Sequence, residues 1–276
     1  MPADALQQTA AGFPELAALA LAVTVEALVI RRIARDGGQV RTDEFRMPDA
    51  LVAIVLATFF AAMGLGALFL HAEKSAALTI EKINQGSLFY LVLLTGIAGF
   101  FNFRGLKLTP LLGLDRLTPL RVVGWALGLI LTAFAFVTAV NALSTAALRG
   151  QAELQESVQL FRTFARQGDG AAMLKMFAAA VVLAPVCEEF LFRGFFYAVG
   201  KRYLGPLASG FASALLFAAI HQSLTAFAGL FVLALCLTLA YERTGSLLVP
   251  IGMHALYNFT SLIFIWLQTR GNISTS

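Results

Sequence analysis

The stretch "LAPVCEEFLFRGF", residues 183–195, places Glu188, Glu189 and Arg193 inside one of the most apolar parts of the chain. An ionisable side chain at membrane depth costs a few kcal/mol or more, so such a residue is by default a candidate for function. Glu189 and Arg193 are four residues apart, so they share a helix face and we expect them to pair. Glu188 points about 100° away on a helix of about 3.6 residues per turn, which leaves it free for another role.

Pro185 precedes the two glutamates and predicts a kink in this helix. Proline has no N–H to donate to the carbonyl four residues back, which is that of Val181. A kink with a freed carbonyl favours a cavity that holds water. The alternative interpretation of the stretch is a single buried ion network without a catalytic role.

The composition predicts a membrane protein. Of the 276 residues, 59% are hydrophobic and only 13% are charged, and the mean hydropathy is +0.79. An ordinary soluble domain is about 25% charged. The net charge of +4 is explained by Arg and Lys in cytoplasmic loops, so we expect the lipid bilayer as a partner and no nucleic acid.

The apolar runs predict an all-α, polytopic membrane protein. A span needs about 20 mostly apolar residues. Eight candidate spans are found, at residues 13–34, 49–71, 87–103, 120–145, 171–200, 204–221, 225–241 and 247–267.

These spans divide the chain into three predicted regions. Residues 1–148 hold the first four spans, and residues 171–276 hold the last four, which carry most of the polar chemistry. Between them, residues 149–170 have apolar side chains at helical spacing, which predicts an amphipathic helix at the membrane interface. A solvated connector packed on the bundle is the alternative.

Loop charges predict the orientation. Positive charges concentrate in cytoplasmic loops, which here are the loops after the first, third and fifth spans; their cations are Arg31, Arg32, Arg35, Arg41, Arg46, Arg104, Lys107, Arg116, Lys201 and Arg202. We therefore expect both termini outside. The alanine-rich sequence is bacterial in style, so we expect the inner membrane of a bacterium as the location. Glu26, midway along the first span, is expected to face the bundle and to be satisfied by a neighbour, or else to contribute a polar wall to the cavity.

Two further motifs place polar residues in apolar helices. "LLFAAIHQ" puts His221 at the end of the sixth span, one turn after Phe217, and "PIGMHALYNF" puts His254 and Asn258 four apart in the eighth. His254 and Asn258 share a helix face, and both are costly to bury unpaired. Three helices with polar groups at apolar depth predict one shared site in the C-terminal half.

In this order, EExxxR, FxxxH and HxxxN resemble the motifs of the CPBP intramembrane proteases. That family includes the type II CAAX prenyl endopeptidases and bacteriocin-immunity-type proteins, and the resemblance covers roughly residues 171–267. It implies hydrolysis of a peptide bond within the membrane, with a membrane-embedded peptide or protein as substrate. We do not carry prenyl specificity over to this chain.

The resemblance also implies the role of each residue. Glu188 would be the general base that activates water, with His221 as its partner. His254 and Asn258 would stabilise the oxyanion, a role suited to donors in a low-dielectric site. The remaining motif residues would orient and hold the site; they are Glu189, Arg193 and Phe217.

Metal dependence and two other functions stay open at this point. Glu188, His221 and His254 could hold zinc or another divalent cation. The sequence has no HExxH motif, and Asn258 is a poor zinc ligand, so we favour no cofactor. A non-catalytic immunity or scaffold protein is one alternative, and a proton- or cation-coupled transporter is another, although the two halves contain no inverted repeat.

Overall fold

The computed structural model describes residues 13–69, 79–147 and 156–273. These three ranges are mostly helical and contain no strand, which confirms the all-α prediction. The helices are α1 (Phe13–Asp36), α2 (Met47–Phe69), α3 (Ile80–Phe103), α4 (Leu108–Leu112), α5 (Pro119–Ala147), α6 (Glu156–Gln167), α7 (Gly170–Phe177), α8 (Ala184–Glu189), α9 (Ala198–Ile220), α10 (Leu224–Thr244) and α11 (Leu248–Ile273). Two π-helical segments connect α7, α8 and α9 into one run; the first is Ala178–Leu183 and the second is Phe190–Tyr197.

The helices have the length and composition of membrane spans. Within the described ranges, six stretches are long and apolar enough to cross a membrane: Met47–Gly64, Ile80–Phe103, Pro119–Ala147, Gly170–Ile220, Leu224–Thr244 and Leu248–Gly271. Gly170–Ile220 contains both the fifth and the sixth predicted spans, and α1 covers the first. The chain is therefore a polytopic, integral membrane protein.

Two predicted span boundaries are wrong. The third helix begins at Ile80 and not at residue 87, because the Thr79 hydroxyl caps it by accepting a hydrogen bond from the Lys82 N–H at 3.3 Å. The fifth and sixth predicted spans are not separated by a loop over residues 201–203, which are helical. The break lies at Gly205, with φ 79° and ψ 169°. Glycine adopts this conformation easily, and the proline that follows has no N–H for the helix.

Short polar residues and a glycine set the ends of the helices that surround the site. The Asp169 carboxylate caps α7 through the Ala172 N–H at 3.0 Å, and the Ser223 hydroxyl caps α10 through the Ala226 N–H at 3.3 Å. Gly245, with φ 63°, ends α10 in the left-handed conformation that favours glycine. Helix α10 therefore begins at the Ser223 cap and ends at Gly245, each in a tight turn.

Lys201 is not the loop cation that the sequence predicts. It is 9% exposed, and its Nζ donates to the Glu242 carboxylate at 2.5 Å and to the Val40 carbonyl at 3.0 Å. Glu242 also accepts hydrogen bonds from the Tyr197 hydroxyl at 2.5 Å and from the Gln39 N–H at 2.7 Å. One buried carboxylate therefore ties the connection between α1 and α2 to the C-terminal helices.

Two other carboxylates near the N-terminal helices are also paired. Asp49 on α2 is fully buried and accepts hydrogen bonds from Arg104, the nearer of them at 2.9 Å. Glu26 on α1 is 7% exposed, and its Oε1 lies 3.4 Å from the Thr132 hydroxyl and 3.5 Å from the Arg243 guanidinium. Glu26 thus faces the bundle, as expected, but it is satisfied only in part: Oε1 has neighbours, whereas the buried Oε2 has no hydrogen-bond partner among the described residues.

Helix α6 forms within the connector predicted over residues 149–170. Phe161 and Ala165 on one of its faces are buried, and Arg162 donates to the Gln268 side chain on α11 at 3.3 Å. The helix thus packs against α11. Its position relative to the membrane interface, the three-region division and the orientation of the termini stay predictions.

Removal of the Lys201 ammonium, which pairs with the buried Glu242 carboxylate, should destabilise the fold. We expect Lys201→Ala to lower the free energy of unfolding by about 3 kcal/mol, because it leaves a buried carboxylate without its counter-charge. Thermal unfolding of the purified protein in detergent micelles measures this change. The neighbouring Arg202 is exposed, so Arg202→Ala is the matched control; equal melting temperatures for the two variants would contradict the prediction.

Candidate active site

Glu189 is the charged group about which the site is assembled. The residue is fully buried, and its Oε1 accepts hydrogen bonds from Arg193 Nη1 at 3.0 Å and from His254 Nδ1 at 2.8 Å. The first contact confirms the predicted pair, although residues 190–197 are π-helical. The second brings in α11 and was not predicted. One carboxylate oxygen therefore balances the guanidinium and orients the imidazole.

Arg193 connects this pair to two further helices. It is 1% exposed, and its Nη2 donates to the Ala234 carbonyl on α10 at 2.9 Å. Its guanidinium carbon lies 4.8 Å from the centroid of the Phe217 ring, within the range of a cation–π contact. These contacts agree with a supporting role for both side chains.

The contact with Glu189 decides which nitrogen of His254 is available for chemistry. Because a carboxylate accepts and does not donate, His254 Nδ1 carries a proton, and Nε2 is left for another partner. Nε2 lies 3.8 Å from Glu188 Oε2. That distance is too long for a direct hydrogen bond. A small molecule that formed hydrogen bonds to both atoms would therefore lie to one side of the gap between them and not directly in it.

Glu188 is buried, at 5% exposure, and is held by a residue that the sequence analysis missed. The Tyr90 hydroxyl on α3 donates to Glu188 Oε1 at 2.7 Å. A lone tyrosine in an apolar span is a weak signal, and nothing in its spacing relates it to a glutamate 98 positions further on. The N-terminal half of the chain therefore contributes directly to the site.

The Phe217 ring contacts both histidines. His221 follows the end of α9; its Nδ1–H donates to the Phe217 carbonyl at 2.7 Å, and its ring centroid lies 4.7 Å from that of Phe217. The Phe217 ring is also 5.8 Å from the His254 ring. Within the described residues, no hydrogen bond or ion pair joins His221 to Glu188, so their partnership stays a prediction.

Asn258 satisfies a backbone group that Pro185 leaves free. In the first π-helical segment, the Ala184 N–H bonds to the Ala179 carbonyl, five residues back. Pro185 has no N–H for the next carbonyl, that of Ala180, which instead accepts a hydrogen bond from Asn258 Nδ2 at 2.7 Å. The sequence analysis named Val181 because it assumed the register of an α-helix, whereas in the π-helical register the carbonyl that lacks the Pro185 donor is that of Ala180. Stabilisation of an oxyanion by Asn258 stays a prediction.

The residues proposed as alternative metal ligands do not form a metal-binding group in this structure. Across the described part of the chain, no group of three or more His, Cys, Asp or Glu side chains could hold a metal ion. Of the alternative set, Glu188 and His254 face each other, whereas His221 is oriented by the Phe217 carbonyl. The geometry does not fit a three-ligand site, and metal dependence stays untested.

Comparison with known families agrees with the motifs. Residues 170–260 match the family model described as type II CAAX prenyl endopeptidase Rce1-like, which runs from α7 into α11 and includes every motif residue. The resemblance inferred from the sequence is thereby confirmed for this region. Comparisons with curated proteins and with solved structures gave no match.

The contact between Asn258 and Ala180 predicts a stability effect that depends on Pro185. We expect Asn258→Ala to lower the free energy of unfolding by about 1–3 kcal/mol, since it leaves a partly buried carbonyl without its hydrogen-bond donor. In a Pro185→Ala background, residue 185 regains an N–H that can reach Ala180 in the π-helical register. The same substitution should then cost less.

A double-mutant cycle measured by thermal unfolding in detergent tests this coupling. It compares the wild type, each single variant and the double variant. If Asn258→Ala costs the same with and without Pro185, the hydrogen bond does not replace the missing backbone donor.

Proposed function

We propose, from the type II CAAX prenyl endopeptidase domain at residues 170–260, that this integral membrane protein is an intramembrane endopeptidase. One observation carries the proposal: Glu188 Oε2 and His254 Nε2 face each other at 3.8 Å in a buried site. The imidazole is in turn oriented by Glu189. A base, a second polar group and an orienting carboxylate are the parts that water-mediated acyl hydrolysis requires.

In the proposed reaction, a water molecule binds beside Glu188 Oε2. Glu188 takes a proton from this water while the water oxygen bonds to the carbon of the scissile carbonyl. The carbonyl oxygen becomes negative and is stabilised by donors of the site. The proton on Glu188 then passes to the amide nitrogen as the carbon–nitrogen bond breaks, which releases an amine and a carboxylic acid.

The two histidines take different parts in this scheme. The proposed role of His254 Nε2, which faces Glu188, is to donate to the developing oxyanion; this role requires a proton on both ring nitrogens, because Nδ1 already donates to Glu189. His221 donates from Nδ1 to the Phe217 carbonyl, so its Nε2 is left to accept a hydrogen bond from the attacking water. Asn258 is the proposed second oxyanion donor, and a free N–H of its carboxamide would serve that role.

The position of the site supports a membrane-associated protein or peptide as substrate. Glu188 and His254 lie in helical stretches whose length and composition suit a membrane span, which favours a substrate that reaches them within the bilayer. Prenyl recognition is a separate question. A prenylated CAAX peptide and the same peptide without the prenyl group should be compared as substrates.

Cleavage should depend on the Glu188 carboxylate. We expect Glu188→Gln to reduce cleavage of a membrane-embedded peptide by about 10²–10⁴-fold, the range for loss of a general base, because an amide cannot accept the proton. The assay uses the full chain reconstituted in liposomes and follows the peptide products by mass spectrometry. Glu26→Gln is the matched control, since Glu26 is also a buried glutamate but contacts no residue of the site; it should cleave as the wild type does.

Four outcomes would overturn parts of the proposal. Cleavage retained in Glu188→Gln removes the general-base role, and cleavage retained in His221→Ala removes the partner role. Proton flux without any cleavage would select the transporter. Loss of activity in a strong chelator, with recovery on addition of zinc, would replace the metal-free reaction by a metal-dependent one.

A further inference from the structure

We infer that Tyr90 is a positioning residue of the active site: its hydroxyl holds one oxygen of the Glu188 carboxylate, so that the other oxygen faces His254. The inference rests on the proposed function, because it assigns one oxygen of Glu188 as the base. It also extends the catalytic unit beyond residues 170–260, into a helix that the family match does not include.

The two oxygens of Glu188 have different partners. Oε1 accepts the hydrogen bond from the Tyr90 hydroxyl at 2.7 Å, and Oε2 lies 3.8 Å from His254 Nε2. The terminal torsion of a glutamate side chain is broad, so the plane of its carboxylate turns easily unless one oxygen is held by a partner. A short hydrogen bond to an ionised oxygen is among the stronger ones in proteins. Tyr90 therefore selects the orientation of Glu188.

The same contact directs the transferred proton. With Oε1 already accepting the phenolic hydrogen, the proton taken from water goes to Oε2, which faces the reacting groups. The neutral acid formed at this step keeps an acceptor at Oε1, so the hydrogen bond from Tyr90 persists through the reaction. Tyr90 itself neither gains nor loses a proton, and it acts only through Glu188.

Tyr90 is placed by the N-terminal half of the chain. It lies on α3, which packs against α8 and the first π-helical segment. Beside it, the Phe89 ring contacts Phe60 of α2 at 6.3 Å, and Phe60 contacts Phe196 of the second π-helical segment at 6.2 Å. These ring contacts fix α3 against the helical run that carries Glu188. The geometry of the base thus depends on helices outside the matched domain.

Tyr90→Phe in the full chain tests the inference, because it removes one hydroxyl and leaves the ring. In the liposome assay, we expect kcat to fall about ten- to hundred-fold, as for other small losses of orientation, while KM and the melting temperature stay near the wild-type values. Tyr203→Phe is the matched control, since Tyr203 is 45% exposed; its kinetics should be unchanged.

An infrared measurement tests the contact without activity. The band of the Glu188 carboxylate is identified as the one that Glu188→Gln removes from the spectrum of the wild type. We expect this band to shift in Tyr90→Phe, because the hydrogen bond to Oε1 is lost. It should not shift in Tyr203→Phe.

The outcomes separate this inference from the proposed function. If the wild type cleaves and Tyr90→Phe has an unchanged kcat, or if the Glu188 band does not move, the positioning role is overturned and the endopeptidase stands. If KM changes by the same factor as kcat, or if the melting temperature falls clearly below that of the wild type, the contact is only structural and the inference is likewise overturned. If the wild type cleaves no membrane-embedded peptide, the endopeptidase is overturned, and the inference with it.

Discussion

The structure depends on one shared, buried carboxylate oxygen. Glu189 Oε1 accepts hydrogen bonds from Arg193 and from His254, and all three side chains are almost completely excluded from solvent. A guanidinium without a counter-charge in this apolar bundle would cost several kcal/mol. The same oxygen that offsets this cost also fixes the tautomer and direction of the imidazole. A single interaction therefore both neutralises a buried charge and orients the imidazole of His254.

Buried carboxylates also accept hydrogen bonds where the two halves of the chain meet. Glu242 receives hydrogen bonds from Lys201, from Tyr197 and from the backbone that connects α1 and α2. Tyr90 of α3 donates to Glu188. In each case, a carboxylate from the C-terminal helices is satisfied in part by the N-terminal half. Burial makes such contacts costly to break, so the N-terminal helices are part of the scaffold that holds the site.

Local spacing explains which predictions were confirmed. The pairing of Glu189 with Arg193 follows from a separation of four residues on a helix, and it survives in a π-helical segment because the side chains are long enough to adapt. The register of the first π-helical segment could not be predicted in this way. Its sequence, "AAAVVL", has nothing that distinguishes it from an α-helix. A change of one residue in the hydrogen-bond register moved the free carbonyl from Val181 to Ala180 and thereby decided the contact of Asn258.

The sequence by itself determined the helical membrane architecture and the small set of polar residues that had to be satisfied within it. Both follow from the cost of placing polar groups among apolar side chains, and this cost depends on local composition. Only the tertiary structure decided which of these groups meet. The contact of Tyr90 with Glu188 spans 98 positions, that of His254 with Glu189 spans 65, and that of Asn258 with Ala180 spans 78. Such pairings are set by the rotation and packing of whole helices, because a side chain's hydrogen-bond partner depends on the helix that lies beside it.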